Sequence, residues 1–277
     1  MLTVDLRVTS KCNMKCTFCH GAPRGCKDST PDELLKLILK LKQAGVEKIV
    51  FSGGEPTLYD GLLELMQFSK QLGLIVYLSS NCRNHGRWYR DIKDTIDWIG
   101  IPLDGSSPFK CQAMSRANWS FDESISFLTY LKQNPPKHGV KVGTVVSRIN
   151  LNDIMEIGNI ISSSEVYRPN IWRLYEFAHR GEGLKSKDIF GISSKQFADI
   201  TDQATLKFGN LVSPLSNKDH DYSYYFINPN LDIVTAAGQQ FPYLGNARTI
   251  TCEDFKKIFS ANTSITKRSE KNRKWIT

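Results

Sequence analysis

The sequence predicts an α/β protein: a partial (βα)6 TIM-like barrel followed by a C-terminal extension. Six apolar strand-like runs alternate with helical stretches over the first 208 residues, and the unusual residues recur just after strands. Such alternation builds a parallel sheet with right-handed crossovers, and in a βα barrel the loops after the strands share one mouth, where the chemistry sits. The 277 residues, 40% hydrophobic and 10% aromatic, supply one large core and exclude a disordered chain, collagen or a disulfide-stapled miniature.

Leu2, Val4, Leu6 and Val8 alternate with Thr3, Asp5, Arg7 and Thr9, the two-residue period of a strand. A cysteine-rich loop follows. Thr30-Pro31-Asp32-Glu33 then supplies an N-cap, a proline at the first helical position and a capping-box acid, and the apolar run 34–41 stops at Gly45. Next come a strand at 48–51, the loop Ser52-Gly53-Gly54-Glu55-Pro56, and a helix from about 58 to 72 ended by Gly73. The cycle repeats with strand 74–79, a short helix at 88–93, strand 97–103, helix 121–132 and strand 140–146. It closes with helix 152–162, strand 170–177 and helix 194–208. Beyond this, 222–227 and 231–235 flank Asn228-Pro229-Asn230, a hairpin rather than another βα unit. The expected division is a barrel over 1–208 and an extension over 209–277, of hairpin, helix and basic tail, packed on the same domain.

The formal charge is +8, but residues 266–277 hold five basic side chains against one acid. The body is therefore only weakly basic, a poor footprint for nucleic acid, and an anionic small molecule fits the balance as well. The longest purely apolar stretch, 74–78, is far too short to cross a bilayer, and no charged-then-apolar leader precedes the first strand. A soluble, cytoplasmic protein without a membrane partner is expected. Seven cysteines without such a leader read as reduced thiols.

Cys12, Cys16 and Cys19, spaced C-x3-C-x2-C, supply three thiolates on one short loop. Three ligands are one too few for a closed tetrahedral zinc site or a fully protein-ligated four-iron cluster, so one metal position stays open. A zinc site completed by Cys26 or His20 is the other reading of these residues.

The triplet, with Phe18 before its third cysteine and Gly53-Gly54-Glu55-Pro56 after the second strand, resembles the radical S-adenosylmethionine (SAM) superfamily over roughly residues 2–177. The resemblance implies a 4Fe-4S cluster on Cys12, Cys16 and Cys19 whose open iron chelates SAM. In that family, an electron from the cluster cleaves SAM to a 5'-deoxyadenosyl radical that abstracts hydrogen from substrate, and a reducing partner such as flavodoxin or ferredoxin supplies the electron. It further implies SAM contacts from Gly53, Gly54 and Glu55 at the methionine ammonium, Ser79 and Asn81 at the ribose or carboxylate, Asp104 at the adenosine and Arg116 at the carboxylate. No second cysteine cluster follows residue 208, unlike the auxiliary-cluster branches.

Within the superfamily the chain looks most like the viperin-like branch, which dehydrates nucleoside triphosphates to 3'-deoxy-3',4'-didehydro products. The similar stretches are Ala44-Gly45-Val46-Glu47-Lys48-Ile49, Val140-Lys141-Val142, Ser147-Arg148-Ile149-Asn150, Trp172-Arg173-Leu174-Tyr175 with Gly181-Glu182-Gly183, and Lys274-Trp275-Ile276. By this likeness Lys141 and Arg173 hold the triphosphate, with Arg148 a third cationic candidate. The chain departs from the branch at Ile171, where a basic residue is usual, and at Gly143, where an asparagine is usual. Ion pairing of Lys141 and Arg173 with Glu176 or Asp104 is the structural alternative. The functional alternatives are a related enzyme modifying a peptide, sugar or antibiotic precursor, a GTP cyclase of the molybdenum-cofactor type, and a structural metal protein that binds nucleic acid.

Overall fold

The computed structural model describes residues 1–222 and 224–261. The basic tail at 266–277 lies outside the described residues. From the N-terminus come β1 (Thr3–Thr9), α1 (Pro31–Gln43), β2 (Lys48–Gly53), α2 (Leu62–Gln71), β3 (Ile75–Ser79), α3 (His85–Ile92), β4 (Trp98–Pro102), α4 (Pro108–Ala113) and α5 (Ser120–Leu131). They continue with β5 (Gly139–Val146), α6 (Ile154–Ile161), β6 (Ile171–Glu176), the one-turn helices α7 (Glu182–Lys185) and α8 (Lys187–Phe190), α9 (Ser194–Phe208) and β7 (Val212–Leu215). Last are α10 (Asn217–His220), β8 (Tyr225–Ile227), β9 (Asp232–Thr235), β10 (Tyr243–Asn246) and α11 (Cys252–Ala261). The α/β class is as the sequence predicts.

Two compact units emerge. The first comprises residues 1–12, 21–78 and the described chain from Lys218 onward; the second comprises 13–20 and 79–217.

In the first unit the strand order is β10-β9-β8-β1-β2-β3. β1 pairs in parallel with β2 and with β8, and β2 in parallel with β3. The hairpin over β8 and β9 forms as the turn Asn228-Pro229-Asn230 predicts, and β9 pairs antiparallel with both neighbours. Along β1 one face carries Val4, Leu6 and Val8, fully buried, and the other Asp5, Arg7 and Thr9. Thr30 caps α1 through the expected capping box with Glu33. The helix predicted from residue 58 instead begins at Leu62, after a single 3-10 turn at Pro56–Leu58 whose backbone Glu55 caps.

In the second unit the order is β4-β5-β6-β7, all parallel. β7 and α4 were not predicted: β7 has four residues and contains Pro214, and α4 has six. On β6, Trp172 is fully buried, its ring edge-on to Phe208 of α9, its Nε1 donating to Thr144 Oγ1 at 2.9 Å. A side-chain carbon at Gly158 of α6 would overlap both the Phe208 and Trp172 rings, so this glycine brings α6 close to the sheet. That face of β5 and β6 is therefore covered by helices, and Lys141, Gly143, Arg173 and Tyr175 lie on the opposite face.

Candidate active site

In the second unit the cysteine loop alternates between buried Met14, Cys16 and Phe18 and exposed Asn13, Lys15, Thr17 and Cys19. The buried three pack with Met114, Phe177 and Phe190, and Phe18 meets Phe190 edge-on at 5.7 Å between ring centres. Polar contacts fix the loop's backbone. Thr17 N donates to Ser115 Oγ at 3.1 Å, Ser186 Oγ to Thr17 O at 3.0 Å, and Glu182 N to Cys19 O at 3.2 Å. Gly181, at φ +58°, lies against the Cys19 carbonyl and the His20 backbone, where a β-carbon would stand only 3.2 Å away. The Gly181-Glu182-Gly183 stretch is thus a buttress for the cysteine loop.

Arg116 is the nearest charge to Cys16: its Nη1 lies 3.6 Å from the sulfur and its guanidinium 4.9 Å from the centre of the Phe18 ring. Its Nε donates to Asp104 Oδ2 at 2.5 Å, and Val145 N donates to the other carboxylate oxygen at 2.7 Å. Asn150 Nδ2 bridges the Asp104 and Val145 carbonyls at 3.0 and 2.8 Å. Burial pushes the Cys16 thiol up, while the Arg116 charge pulls it down. Asp104 and Arg116, twelve residues apart, therefore form one group with Cys16; Asn150, which locks them to β5, lay in a stretch similar to the viperin-like branch but was given no role.

In the first unit the GGEP segment joins the end of β1. Gly54 N donates to Thr9 O at 2.7 Å and Glu55 N to Lys11 O at 2.8 Å. A β-carbon at Gly54 would fall 2.2 Å from Lys11 O, and one at Gly53 2.5 Å from Thr9 O. Both glycines are thus required for the close approach of this loop to the start of the cysteine loop. The Glu55 carboxylate accepts from Thr57 N and Oγ1 at 3.2 and 2.8 Å, a structural duty for a side chain assigned above to SAM. The Cys26 carbonyl accepts from Ser10 Oγ at 2.6 Å, and the Asp28 carboxylate accepts from Thr9 Oγ1 and Ser10 N at 2.5 and 2.8 Å.

Ser79 ends β3 and is exposed; Asn81 donates to Asn13 Oδ1 at 2.6 Å, tying its strand end to the cysteine loop. Lys141 Nζ donates to Tyr175 Oη at 3.1 Å, and Arg173 is almost fully buried on the same face. Arg148 is elsewhere: exposed, it donates to the Asp188 carbonyl at 3.2 Å. Glu176, a candidate ion-pair partner, accepts from Ser194 Oγ and Asn217 N at 3.1 and 2.7 Å. Tyr175, in the stretch Trp172-Arg173-Leu174-Tyr175 similar to the viperin-like branch, was given no role from the sequence.

The triplet spans both units, Cys12 in the first, Cys16 and Cys19 in the second. Among the described residues no disulfide engages a cysteine, and no three His, Cys, Asp or Glu side chains form a single-ion site. A four-iron cluster asks for something different, one thiolate for each iron. Three soft sulfur donors on one short loop suit such a cluster.

The comparisons with known proteins agree. A "S-adenosylmethionine-dependent nucleotide dehydratase" from Lacinutrix mariniflava is 26% identical over 82% of this chain and 49% of its own length. One of the same description from Selenomonas ruminantium is 25% identical over 92% of this chain and 93% of its own. The chain thus spans about half the length of the first relative. A solved structure, native anSMEcpe with bound AdoMet and Kp18Cys peptide, shares the fold at TM-score 0.69 and 14% identity, covering 92% of this chain and 80% of that one. The Radical SAM superfamily profile matches residues 6–160, more than half of the sequence. Members of that superfamily are enzymes that use a 4Fe-4S cluster and SAM, and this chain belongs to it.

Proposed function

We propose that this chain cleaves SAM reductively at a 4Fe-4S cluster and abstracts hydrogen from a nucleotide, as a nucleotide dehydratase does. The observation that carries the nucleotide reading is the cationic face of the second unit. Lys141 and Arg173 stand on the side of β5 and β6 away from the helices, where the Lys141 ammonium also meets the Tyr175 hydroxyl. Two cationic side chains on one sheet face complement the charge of a phosphate chain. The relatives described as nucleotide dehydratases support the same substrate class.

Cys12, Cys16 and Cys19 would hold the cluster. Bound there with SAM and reduced by a one-electron donor such as flavodoxin or ferredoxin, it supplies hydrogen abstraction. The chain's own residues do the rest. Met14, Phe18 and Phe177 keep water from the Cys16 side of the loop. Arg116, held by Asp104, presents a fixed positive charge to a carboxylate, and Gly53 and Gly54 keep the β1 end and the following loop together. Lys141 and Arg173 neutralise phosphate oxygens, each charge-assisted contact contributing about 1.5–3 kcal/mol.

The test is a nucleotide screen. Anaerobically reconstituted protein is given SAM and dithionite with each of ATP, GTP, CTP and UTP, and 5'-deoxyadenosine is measured. Yield rising selectively with one nucleotide supports the reading; a yield indifferent to all four overturns the nucleotide substrate, and no cleavage by brown, iron-loaded protein overturns the activity.

A further inference from the structure

In the parallel register of β5 and β6, Gly143 pairs with Arg173 and Val145 with Tyr175. Lys141, two residues before Gly143, shares their face. The Tyr175 side chain does not stand at its own level. It leans back along β5, so that a β-carbon at Gly143 would be 3.2 Å from its Cε2, its ring centre is 5.8 Å from Lys141 Nζ, and its hydroxyl accepts from that ammonium at 3.1 Å. The ring lies over the one residue in the middle of β5 that has no side chain. With a larger side chain at 143 the ring would have to shift, and the ammonium would lose the hydroxyl.

We infer that Tyr175, admitted by Gly143, is a positioning residue that fixes the Lys141 ammonium for phosphate binding. This deepens the nucleotide reading and rests on it. A lysine ammonium on four methylenes is otherwise a mobile point charge, and holding it in place before the ligand arrives removes part of the ordering cost of binding. The phenol oxygen takes one of the three ammonium hydrogens and so fixes the direction of the charge.

Two measurements on the full reconstituted chain test this. Lys141 reactivity with acetic anhydride, read by peptide mass spectrometry without nucleotide, should rise severalfold in Tyr175→Phe, which keeps the ring and loses the acceptor, and in Gly143→Asn, which keeps the hydroxyl and displaces it. Binding of the nucleotide that most stimulates SAM cleavage, with inorganic triphosphate as a base-free probe, should weaken about tenfold in each, at nearly unchanged saturating turnover. The double variant should be no weaker than either single one. Unchanged Lys141 labelling in both variants overturns the positioning role whatever binds. Raised labelling with wild-type protein that binds neither any nucleotide nor triphosphate overturns the phosphate role and the nucleotide reading while leaving the Tyr175 contact standing. Equal affinity in wild type and both variants overturns the inference alone.

Discussion

The guanidinium of Arg116 stands 3.6 Å from the Cys16 sulfur while its Nε bonds the Asp104 carboxylate at 2.5 Å. The Asp104 side chain is fully buried and that of Arg116 is 16% exposed. Neither charge can be removed singly without stranding the other, and such broken buried pairs cost about 3–5 kcal/mol. Arg116→Ala should therefore lower unfolding stability by that order in anaerobic urea titration. Arg116→Ala combined with Asp104→Asn should lose less than the two single changes summed. Losses under about 1 kcal/mol in Arg116→Ala would show the pair to be a surface contact.

The cysteines should separate cleanly. Replacing Cys12, Cys16 or Cys19 by alanine should abolish brown colour and most iron and sulfide after reconstitution, since three thiolates leave no spare ligand. Cys26→Ala should reconstitute as wild type: the contact this residue makes with the cysteine loop's first turn is through its backbone carbonyl to Ser10 Oγ. Loss of iron in Cys26→Ala would reinstate the fourth-ligand reading.

Two glycines make opposite expectations from one substitution. Gly54→Ala puts a carbon 2.2 Å from the Lys11 carbonyl, against backbone that cannot rotate away. It should lower the melting temperature and cut iron incorporation severalfold, because the displaced segment leads directly into Cys12. Gly86→Ala, in α3 with nothing within 4 Å of the added carbon, should stabilise by about 0.5 kcal/mol through helix propensity and a less mobile unfolded chain. Calorimetry and iron assay on both variants decide. Equal effects would mean that the contact at Gly54 is not what the residue is for.

What the sequence made legible followed from local rules. The capping box at Thr30 and Glu33, the helix over Ser194–Phe208 and the turn at Asn228-Pro229-Asn230 each rest on neighbours a few residues apart. The cysteine spacing and the GGEP loop were legible for the same reason. The pairing of β8 with β1 was not, because it joins residues more than 200 apart and no pattern in either strand names its partner. β7 escaped because four residues with a proline do not make a strand period. Arg116 could be placed near a cofactor by likeness, but its contact with Cys16 spans 100 positions. Tyr175 stood in a stretch similar to the viperin-like branch, but its contact with Lys141 was not legible, since it depends on a ring lying beside Gly143 of another strand.

A last expectation concerns acid. Arg248 Nε bonds Glu33 Oε1 at 2.8 Å, while its other nitrogens reach the Asn230 carbonyl at 2.6 Å and Ser29 Oγ at 3.1 Å. The guanidinium thereby clamps the α1 start and the segment after the cysteine loop to the hairpin turn. The Arg248 bond, with the Thr30 backbone amide, holds the Glu33 carboxyl down to about 2 from its ordinary 4.5. A carboxyl whose folded value is depressed adds stability that is fully present above the unfolded value and disappears as pH falls through the folded one. The gap in denaturation midpoint between wild type and Glu33→Gln should therefore be constant above about pH 5 and shrink from pH 4.5 towards 2. Glutamine can keep the capping-box geometry, so the gap reports the charge in the Arg248 and Thr30 contacts, that of Arg248 the larger. Salt should narrow it as well, because the pair is partly exposed. A gap that is flat from pH 6 to pH 3 would mean that Arg248 clamps through its backbone and hydroxyl contacts alone.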